Sequence, residues 1–284
     1  MPIRSFAALS AAALIALSFA GPAHAISKAE RRKLFFGHDD RHTLVPDALP
    51  WRAIGQIETA SGSICTATLV ADDVVLTAGH CFKDPDTGRF DPAVTFSAAL
   101  NGKHAAARVA TTRVFVDRRL FAGLTIEGGG LLVDPRVARY DYAFVRLAEP
   151  IGRTLGTLPL IGGDRATLKA NLDDRRWRVT QAGYPIDDPS HLTVHEQCRA
   201  TKLLADGRLS HRCDTLPGDS GSPLLLIDGN GKATIIALQS SAPSAADRYR
   251  ADNMALSVPV FRAALDRFIA SGASPKPAAA SAAQ

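Results

Sequence analysis

The chain has 284 residues, a formal net charge of +5, 46% hydrophobic residues and four cysteines. Its positive charges are spread along the sequence without a long basic block, so the composition gives little support to nucleic-acid binding. The length is sufficient for one large domain or for two smaller lobes that each bury a core.

The first 25 residues predict a secretory signal. Arg4 gives a basic start, residues 6–20 are apolar, and the small residues Ala23 and Ala25 form a cleavage site. A membrane anchor would need about 20 unbroken apolar residues, and this alanine-rich run is a weaker candidate for one. We therefore expect no stable membrane anchor and a secreted or periplasmic protein, which we expect to be a monomer.

Residues 26–47 are polar and charged and predict either a pro-segment or an extended N-terminal arm. From there to residue 258, short β-type runs alternate with Gly, Pro, Asp and Asn, and no helical period is sustained over ten residues. This pattern predicts an all-β chain built as barrels or a sandwich. The clearest predicted strands are Ile64–Val70, Val74–Thr77, Arg108–Val116, Tyr142–Leu147, Trp177–Gly183, Pro223–Ile227 and Thr234–Ser240.

The end of the chain predicts one amphipathic helix and a tail. After Pro259, the apolar residues Phe261, Leu265 and Phe268 fall on one helical face, which we expect to pack on the last lobe. Residues 271–284 consist mainly of Ala, Pro and Ser, which predicts a disordered tail.

An even number of cysteines in an exported protein favours two disulfides. The simplest pairing joins Cys65 with Cys81 and Cys198 with Cys213. Each bridge would close a loop of about 15 residues and stabilise the fold by roughly 3 kcal/mol in the chain-entropy model.

Zinc binding is the alternative reading of the second cysteine pair. His191, His195, Cys198, His211 and Cys213 lie close together in sequence, but their spacing fits no zinc-finger pattern. An oxidising compartment favours the disulfide, so we expect no metal and no other cofactor.

Three short motifs contain the residues that serine nucleophilic catalysis needs. A serine hydroxyl becomes a nucleophile when a histidine takes its proton and a carboxylate orients that histidine. His80 lies in TAGHC at residues 77–81, Asp141 opens DYAFVRL at residues 141–147, and Ser220 lies in GDSGSP at residues 218–223. Each motif alone is weak evidence, because a lone histidine is more often structural and an Asp before a strand is usually turn chemistry.

Taken together and in this order, the three motifs resemble the chymotrypsin/trypsin family of serine proteases, and the order separates them from α/β-hydrolases and subtilisins. Cys65 and Cys81 also match the family's disulfide around the histidine. The resemblance implies two six-stranded antiparallel β-barrels and a C-terminal helix. The domain would span residues 48–270, with the first barrel at about 48–150 and the second barrel with the helix at about 151–270.

The resemblance also implies the role of each site residue. Ser220 would attack the scissile carbonyl and form an acyl-enzyme, His80 would act as general base and then acid, and Asp141 would orient His80. The backbone N–H groups of Gly218 and Ser220 would form the oxyanion hole. This describes an exported serine endopeptidase acting on protein or peptide substrates. A catalytically silent homologue that serves as a binding module is an alternative that the complete triad disfavours, and an esterase with the same triad is another.

The bacterial branch that includes the glutamyl endopeptidases typically carries a serine at the position of Ser222. Its members cleave after Glu with a histidine that directly precedes the serine binding the substrate backbone. That serine corresponds to Ser240 here, but the residue before it is Gln239. This departure argues against glutamate specificity.

Asp214 and Thr215 suggest a different specificity. Asp214 lies six residues before the nucleophile, where trypsins have the carboxylate of the pocket floor, so it predicts a preference for Lys or Arg before the cut. The alternative is that Asp214 only caps a turn beside the second disulfide.

Asp219 matches the residue that pairs with a new amino terminus in trypsins. A cut after Lys33 would expose Leu34 and make the chain a zymogen, and Ile26 is a second candidate terminus. The alternative is a hydrogen bond within the loop of Asp219 itself.

Overall fold

The computed structural model of the chain describes residues 27–127 and 130–272. The predicted signal and nearly all of the predicted tail lie outside these residues. Within the described ranges the fold consists mainly of strands, with a few short helices. No helix in this part of the chain is both long and apolar enough to cross a membrane.

The strands are numbered in chain order. They are β1 (His42–Leu44), β2 (Ile54–Thr59), β3 (Ile64–Ala71), β4 (Val74–Thr77), β5 (Ala93–Ala98), β6 (Ala107–Val116), β7 (Leu124–Glu127), β8 (Gly130–Val133), β9 (Ala143–Leu147), β10 (Arg178–Gly183), β11 (Leu192–Leu203), β12 (Arg208–His211), β13 (Pro223–Ile227), β14 (Ala233–Ser241) and β15 (Asn253–Ser257). The α-helices are α1 (Lys28–Leu34), α2 (Arg118–Ala122), α3 (Gly152–Leu155), α4 (Arg165–Asp174) and α5 (Val258–Ala270).

Two antiparallel barrels form the body of the molecule. The first is closed in the order β2-β3-β4-β9-β6-β5, and the second runs β11-β10-β13-β14-β15-β12 and closes through pairing of β12 with β11. Inward-facing residues such as Ile57, Phe96 and Phe144 are fully buried in the first barrel, as the alternation of side chains along a strand requires. The predicted fold of two six-stranded barrels is confirmed.

The N-terminal arm is built into the second barrel. After α1, strand β1 pairs antiparallel with β11, with His42 opposite Val194 and Leu44 opposite Leu192. Phe35, between α1 and β1, is only 1% exposed. Strand β1 and the side chain of Phe35 are thus part of the second barrel and its core.

Helix α5 buries the predicted face of Phe261, Leu265 and Phe268. It contacts β14 and β15 of the last barrel, as expected. It also reaches the first barrel, where the ring centroid of Phe268 lies 5.7 Å from that of Phe144. The helix therefore packs against both barrels and ties them together.

Helix α4, which has ten residues, was not predicted. Its N-cap is Asp164, whose side chain accepts a hydrogen bond from the Thr167 backbone N–H. Leu168 and Leu172 are its buried residues. Two leucines four residues apart in a polar sequence are too weak a period to separate a helix from a loop.

The disulfides form with the predicted pairing. Cys65 on β3 is bonded to Cys81 in the turn after β4, with an S–S distance of 2.06 Å. Cys198 on β11 is bonded to Cys213 just after β12, with an S–S distance of 2.05 Å. The second bridge also removes both sulfur atoms from the zinc site considered as an alternative.

Candidate active site

His80 and Asp141 are brought together by the pairing of two strands of the first barrel. Strands β4 and β9 are antiparallel, with Thr77 opposite Ala143. His80 follows the end of β4 in a 3-10 turn, and Asp141 lies two residues before the start of β9. The end of β4 and the start of β9 therefore lie at the same rim of the first barrel, as the sequence motifs suggested.

A continuous hydrogen-bonded chain links Asp141, His80 and Ser220. His80 Nδ1 lies 2.8 Å from Asp141 Oδ2, and His80 Nε2 lies 2.8 Å from Ser220 Oγ. The backbone N–H of His80 also donates to Asp141 Oδ1 at 2.8 Å. Because a carboxylate only accepts, the proton sits on Nδ1 and leaves Nε2 free to take the proton of the serine hydroxyl.

The electrostatics of this pair suit a base. Asp141 is fully buried and the His80 side chain is 16% exposed. Burial disfavours charge on both groups, but their mutual attraction and hydrogen bonds outweigh it. The pKa of Asp141 therefore lies below its ordinary range, and the pKa of His80 lies above its own.

The loop that carries Ser220 is held by Thr66 of the first barrel. Thr66 Oγ1 donates to the Gly218 carbonyl at 2.9 Å, and the Thr66 N–H donates to the Ser220 carbonyl at 2.9 Å. Gly218 has φ +95°, and a Cβ at this position would collide with the Tyr184 carbonyl oxygen. In the described part of the chain, no acceptor takes the N–H of Gly218 or Ser220, so both remain available to an oxyanion.

Asp219 turns inward beside the nucleophile. Its Oδ2 accepts a hydrogen bond from the Leu216 N–H at 2.9 Å, and the residue is 2% exposed. Burial raises its pKa to about 7, although the Leu216 N–H and the positive charge of Arg41 oppose the shift. No cationic group among the described residues hydrogen-bonds this carboxylate.

Asp214 and Thr215 are buried, but their polar atoms are already engaged. Asp214 Oδ2 accepts the backbone N–H of Asp40 in the N-terminal arm at 2.8 Å. Thr215 Oγ1 donates to Gln181 Oε1 at 3.0 Å. The Asp214 side chain is 1% exposed and lies against the arm, and the predicted preference for Lys or Arg is not supported.

Ser240 and Gln239 lie on β14. Ser240 Oγ donates to Asp141 Oδ2 at 2.5 Å, so Ser240 extends the chain from Asp141 across to the second barrel. Gln239 Oε1 lies 2.6 Å from Nε2 of His211 on β12, and Gln239 Nε2 donates to the Ser241 carbonyl at 3.1 Å. Gln239 therefore pairs with a buried histidine next to the position where the glutamyl endopeptidases have one.

His211 is a site residue whose role the sequence did not show. Its Nδ1 accepts the Cys213 N–H at 3.2 Å, so Nε2 carries the proton donated to Gln239. Burial lowers the pKa of His211 to about 4, even though the bond to Gln239 opposes the shift. The imidazole is thus neutral at pH 7. The only sequence signal was its place in the histidine and cysteine cluster considered for zinc.

Arg248 was also missed. It lies in the segment between β14 and β15, is 7% exposed, and donates from Nη1 to Asn253 Oδ1 at 2.5 Å. Its guanidinium carbon lies 4.5 Å from the centre of the Phe36 ring. Burial lowers the pKa of Arg248 to about 10, although Asp252 and Asp214 oppose the shift. Nε and Nη2 are buried without a hydrogen-bond partner among the described residues.

One group of side chains has the composition of a cation site. Ligand atoms of Asp40, His195 and Asp214 lie within 4.8 Å of one another. However, Asp214 Oδ2 accepts the Asp40 N–H, and His195 Nδ1 accepts the Asp214 N–H at 2.9 Å. These atoms link the arm to the second barrel through hydrogen bonds.

Two closed barrels with a His, Asp and Ser chain at their interface define the architecture of a trypsin-like peptidase domain. The family described as "Trypsin-like peptidase domain" matches residues 65–233, more than half of the chain, and the chain belongs to this family. The resemblance drawn from the three motifs is therefore confirmed.

Two curated relatives show where the chain lies within the family. A glutamyl endopeptidase from Bacillus licheniformis is 31% identical over 194 residues, which are 68% of this chain and 54% of the relative. Serine protease 23 of Bos taurus is 26% identical over 228 residues, which are 71% of this chain and 54% of the relative. The chain thus spans about half the length of these relatives.

Solved structures support the fold. A Glu endopeptidase in complex with MPD superposes with a TM-score of 0.61 at 20% identity, covering 83% of this chain and 97% of the other. The protease Anisep from Arthrobacter nicotinovorans gives a TM-score of 0.52 at 16% identity, covering 76% of this chain and 92% of the other.

Proposed function

We propose that the protein is a serine endopeptidase in which Ser220 is the nucleophile, His80 the general base and Asp141 the residue that orients His80. The hydrogen-bonded chain of these three side chains carries the proposal, because it has the tautomer and the order of contacts that proton removal from a serine requires. The N–H groups of Gly218 and Ser220 would stabilise the negative oxygen of the tetrahedral intermediate. Water would then release the acyl group from Ser220.

We also propose that the enzyme acts on proteins or peptides outside the cytoplasm. Two disulfides and the predicted N-terminal signal support this location, since disulfides persist in oxidising compartments.

Cleavage after glutamate is the specificity that the contacts support best. Asp214, on which the expectation of Lys or Arg depended, is 1% exposed and accepts a hydrogen bond from the arm at Oδ2. Arg248 instead offers two buried donors without a partner beside Asn253 on β15, and Asn253 in turn donates to the Cys213 carbonyl at 2.7 Å. A buried guanidinium with free donors favours an anion as its partner. A glutamate side chain of the substrate would supply that anion.

The surroundings of Arg248 strengthen this proposal. A cavity of about 1100 Å³ between α1 and the segment before β15 is lined by six basic side chains, among them Arg212, Arg248 and Arg250, and by one acidic side chain, Asp252. Such a surface carries a positive potential that attracts acidic substrates. The similarity to a glutamyl endopeptidase agrees with this charge preference.

The test has two arms. First, a serine-directed phosphonate probe should label the wild-type protein and not Ser220→Ala. Second, peptides that differ only in Glu, Gln, Arg or Phe before the cut should be cleaved fastest after Glu. Failure of the first arm contradicts the serine mechanism, whereas preferred cleavage after Arg or Phe contradicts only the specificity.

Arg248→Gln tests the specificity residue directly. We expect the ratio of kcat/KM for Glu over Gln substrates to fall by roughly 100-fold. The substitution removes the positive charge of Arg248, which would favour a substrate Glu over the neutral Gln. Arg153→Gln is the control, since the Arg153 side chain is 71% exposed, pairs with Asp72 and does not line this cavity. An unchanged ratio in Arg248→Gln, with normal labelling of Ser220, would assign the specificity elsewhere.

A further inference from the structure

Arg41, which directly precedes β1 in the N-terminal arm, has a buried guanidinium with two carboxylate partners. Its Nη2 donates to Asp187 Oδ2 at 2.8 Å and its Nη1 to Asp187 Oδ1 at 3.2 Å, in a bidentate arrangement. Its Nε donates to Asp39 Oδ1 at 2.9 Å. The side chain is 8% exposed and lies over the ring of Phe35. Burial opposes its charge, but the two carboxylates outweigh burial and raise the pKa of Arg41 above its ordinary value.

The backbone on both sides of Arg41 is fixed to the second barrel. Asp40 donates its N–H to Asp214, and β1 begins at His42, directly after Arg41. The position of the guanidinium is therefore set by the second barrel.

The partner of Arg41 adjoins the segment against which the oxyanion loop packs. Asp187 follows Ile186, whose N–H donates to the Pro217 carbonyl at 2.7 Å. The Pro217 carbonyl and the Gly218 N–H belong to the same planar, trans peptide unit. Holding the carbonyl therefore sets the direction of the N–H that would meet the oxyanion.

We propose that Arg41 is a positioning residue for the oxyanion hole, acting on Gly218 through Asp187 and Ile186. This inference rests on the proposed serine mechanism. In this proposal the uncut arm orders the oxyanion loop, a role that the sequence analysis assigned to a new amino terminus paired with Asp219. A cut between Lys33 and Leu34 is then unnecessary for activity.

Arg41→Met removes the charge while keeping the side-chain length. We expect kcat to fall about 100-fold with KM within about threefold of wild type, because misalignment of one oxyanion donor affects the transition state more than substrate binding. Arg41→Lys should be intermediate, since an ammonium group does not bind a carboxylate in bidentate fashion. Arg153→Met is the matched control, because Arg153 pairs with Asp72 and is 71% exposed.

Chemical rescue separates positioning from general damage to the fold. Millimolar guanidinium should restore part of kcat in Arg41→Ala, and the thermal unfolding of the variants is measured alongside. A kcat of Arg41→Met equal to that of wild type would overturn the inference, as would loss of activity without any rescue. Absence of Ser220-dependent cleavage in the wild type would instead contradict the proposed function.

The state of the arm gives an independent readout. The intact mass of probe-labelled enzyme should include the uncut Lys33–Leu34 bond. If only chains that begin at Leu34 react with the probe, the inference is wrong.

Discussion

Ser240 Oγ donates a hydrogen bond of 2.5 Å to Asp141 Oδ2, and this bond joins the two barrels at the triad. Ser240 lies on β14 of the second barrel, whereas Asp141 precedes β9 of the first. The carboxylate therefore accepts hydrogen bonds from both barrels, with the N–H and ring of His80 on one side and Ser240 on the other. The orientation of the Asp141 carboxylate therefore depends on how the two barrels are placed relative to each other.

Ser240→Ala should lower kcat/KM by about 10-fold, because a hydrogen bond to a buried carboxylate contributes on the order of 1.5 kcal/mol or more. Steady-state cleavage of a peptide substrate measures the effect. Ser241→Ala is the matched control, since Ser241 is the next residue on β14 and engages Gln239 through its backbone carbonyl. A loss in Ser241→Ala as large as that in Ser240→Ala would contradict this role.

The pH dependence of catalysis should reflect the raised pKa of His80. Only the neutral imidazole can accept the Ser220 proton, so kcat/KM falls as the pH drops through the pKa of His80, which lies above the ordinary value of about 6.5. Asp141→Asn should move this acid limb to lower pH and reduce kcat by roughly 10⁴. A pH-rate profile of both proteins checks the prediction. An acid limb at the same pH in both proteins would mean that Asp141 does not control the base.

The parts of the fold that were predictable are those set by local pattern. His80, Asp141 and Ser220 each lie next to a strand whose apolar run is visible in the sequence, and the order of the three motifs indicates how those strands are arranged. The face of α5 was predictable for the same reason, because Phe261, Leu265 and Phe268 repeat at helical spacing.

The parts that could not be predicted depend on contacts between distant segments. Asp214 was assigned to a pocket floor by counting from Ser220, but its partner is Asp40, which lies 174 residues away in the arm. The pairing of His211 with Gln239 depends on how β12, β15 and β14 pair, which periodicity does not specify. Arg248 lies in a segment without any hydrophobic period. Nothing in the local pattern therefore indicates that it packs against Phe36 and Asn253.

Gly218→Ala should lower kcat by 10²- to 10³-fold, because the loop must move away from the Tyr184 carbonyl and misdirect an oxyanion donor. Gly231→Ala is a stringent control. Gly231 also has a positive φ, at +77°, but a Cβ there meets nothing within 4 Å. Both positions have a positive φ that disfavours a side chain, but only Gly218 has a close contact. A kcat in Gly218→Ala close to that in Gly231→Ala would argue against the oxyanion role.

His211 should make the folded state sensitive to acid. Its pKa is about 4 in the folded protein and about 6.5 when unfolded, so the unfolded state binds more protons between these values. The stabilisation is complete above pH 6.5 and is lost as the pH falls towards 4. From pH 7 to 4.5 the loss is about 2 kcal/mol.

Asp219 acts in the opposite direction, because its folded pKa of about 7 lies above the unfolded value, and its contribution is lost as the pH rises through 7. The overall pH dependence of wild type therefore mixes both groups, and a variant is needed to separate them. His211→Gln keeps an amide donor near Gln239 but does not titrate. Urea unfolding at pH 7 and pH 4.5, with the disulfides oxidised, should show a drop about 2 kcal/mol smaller in His211→Gln than in wild type. Equal drops in the two proteins would show that His211 is not the buried neutral base described above.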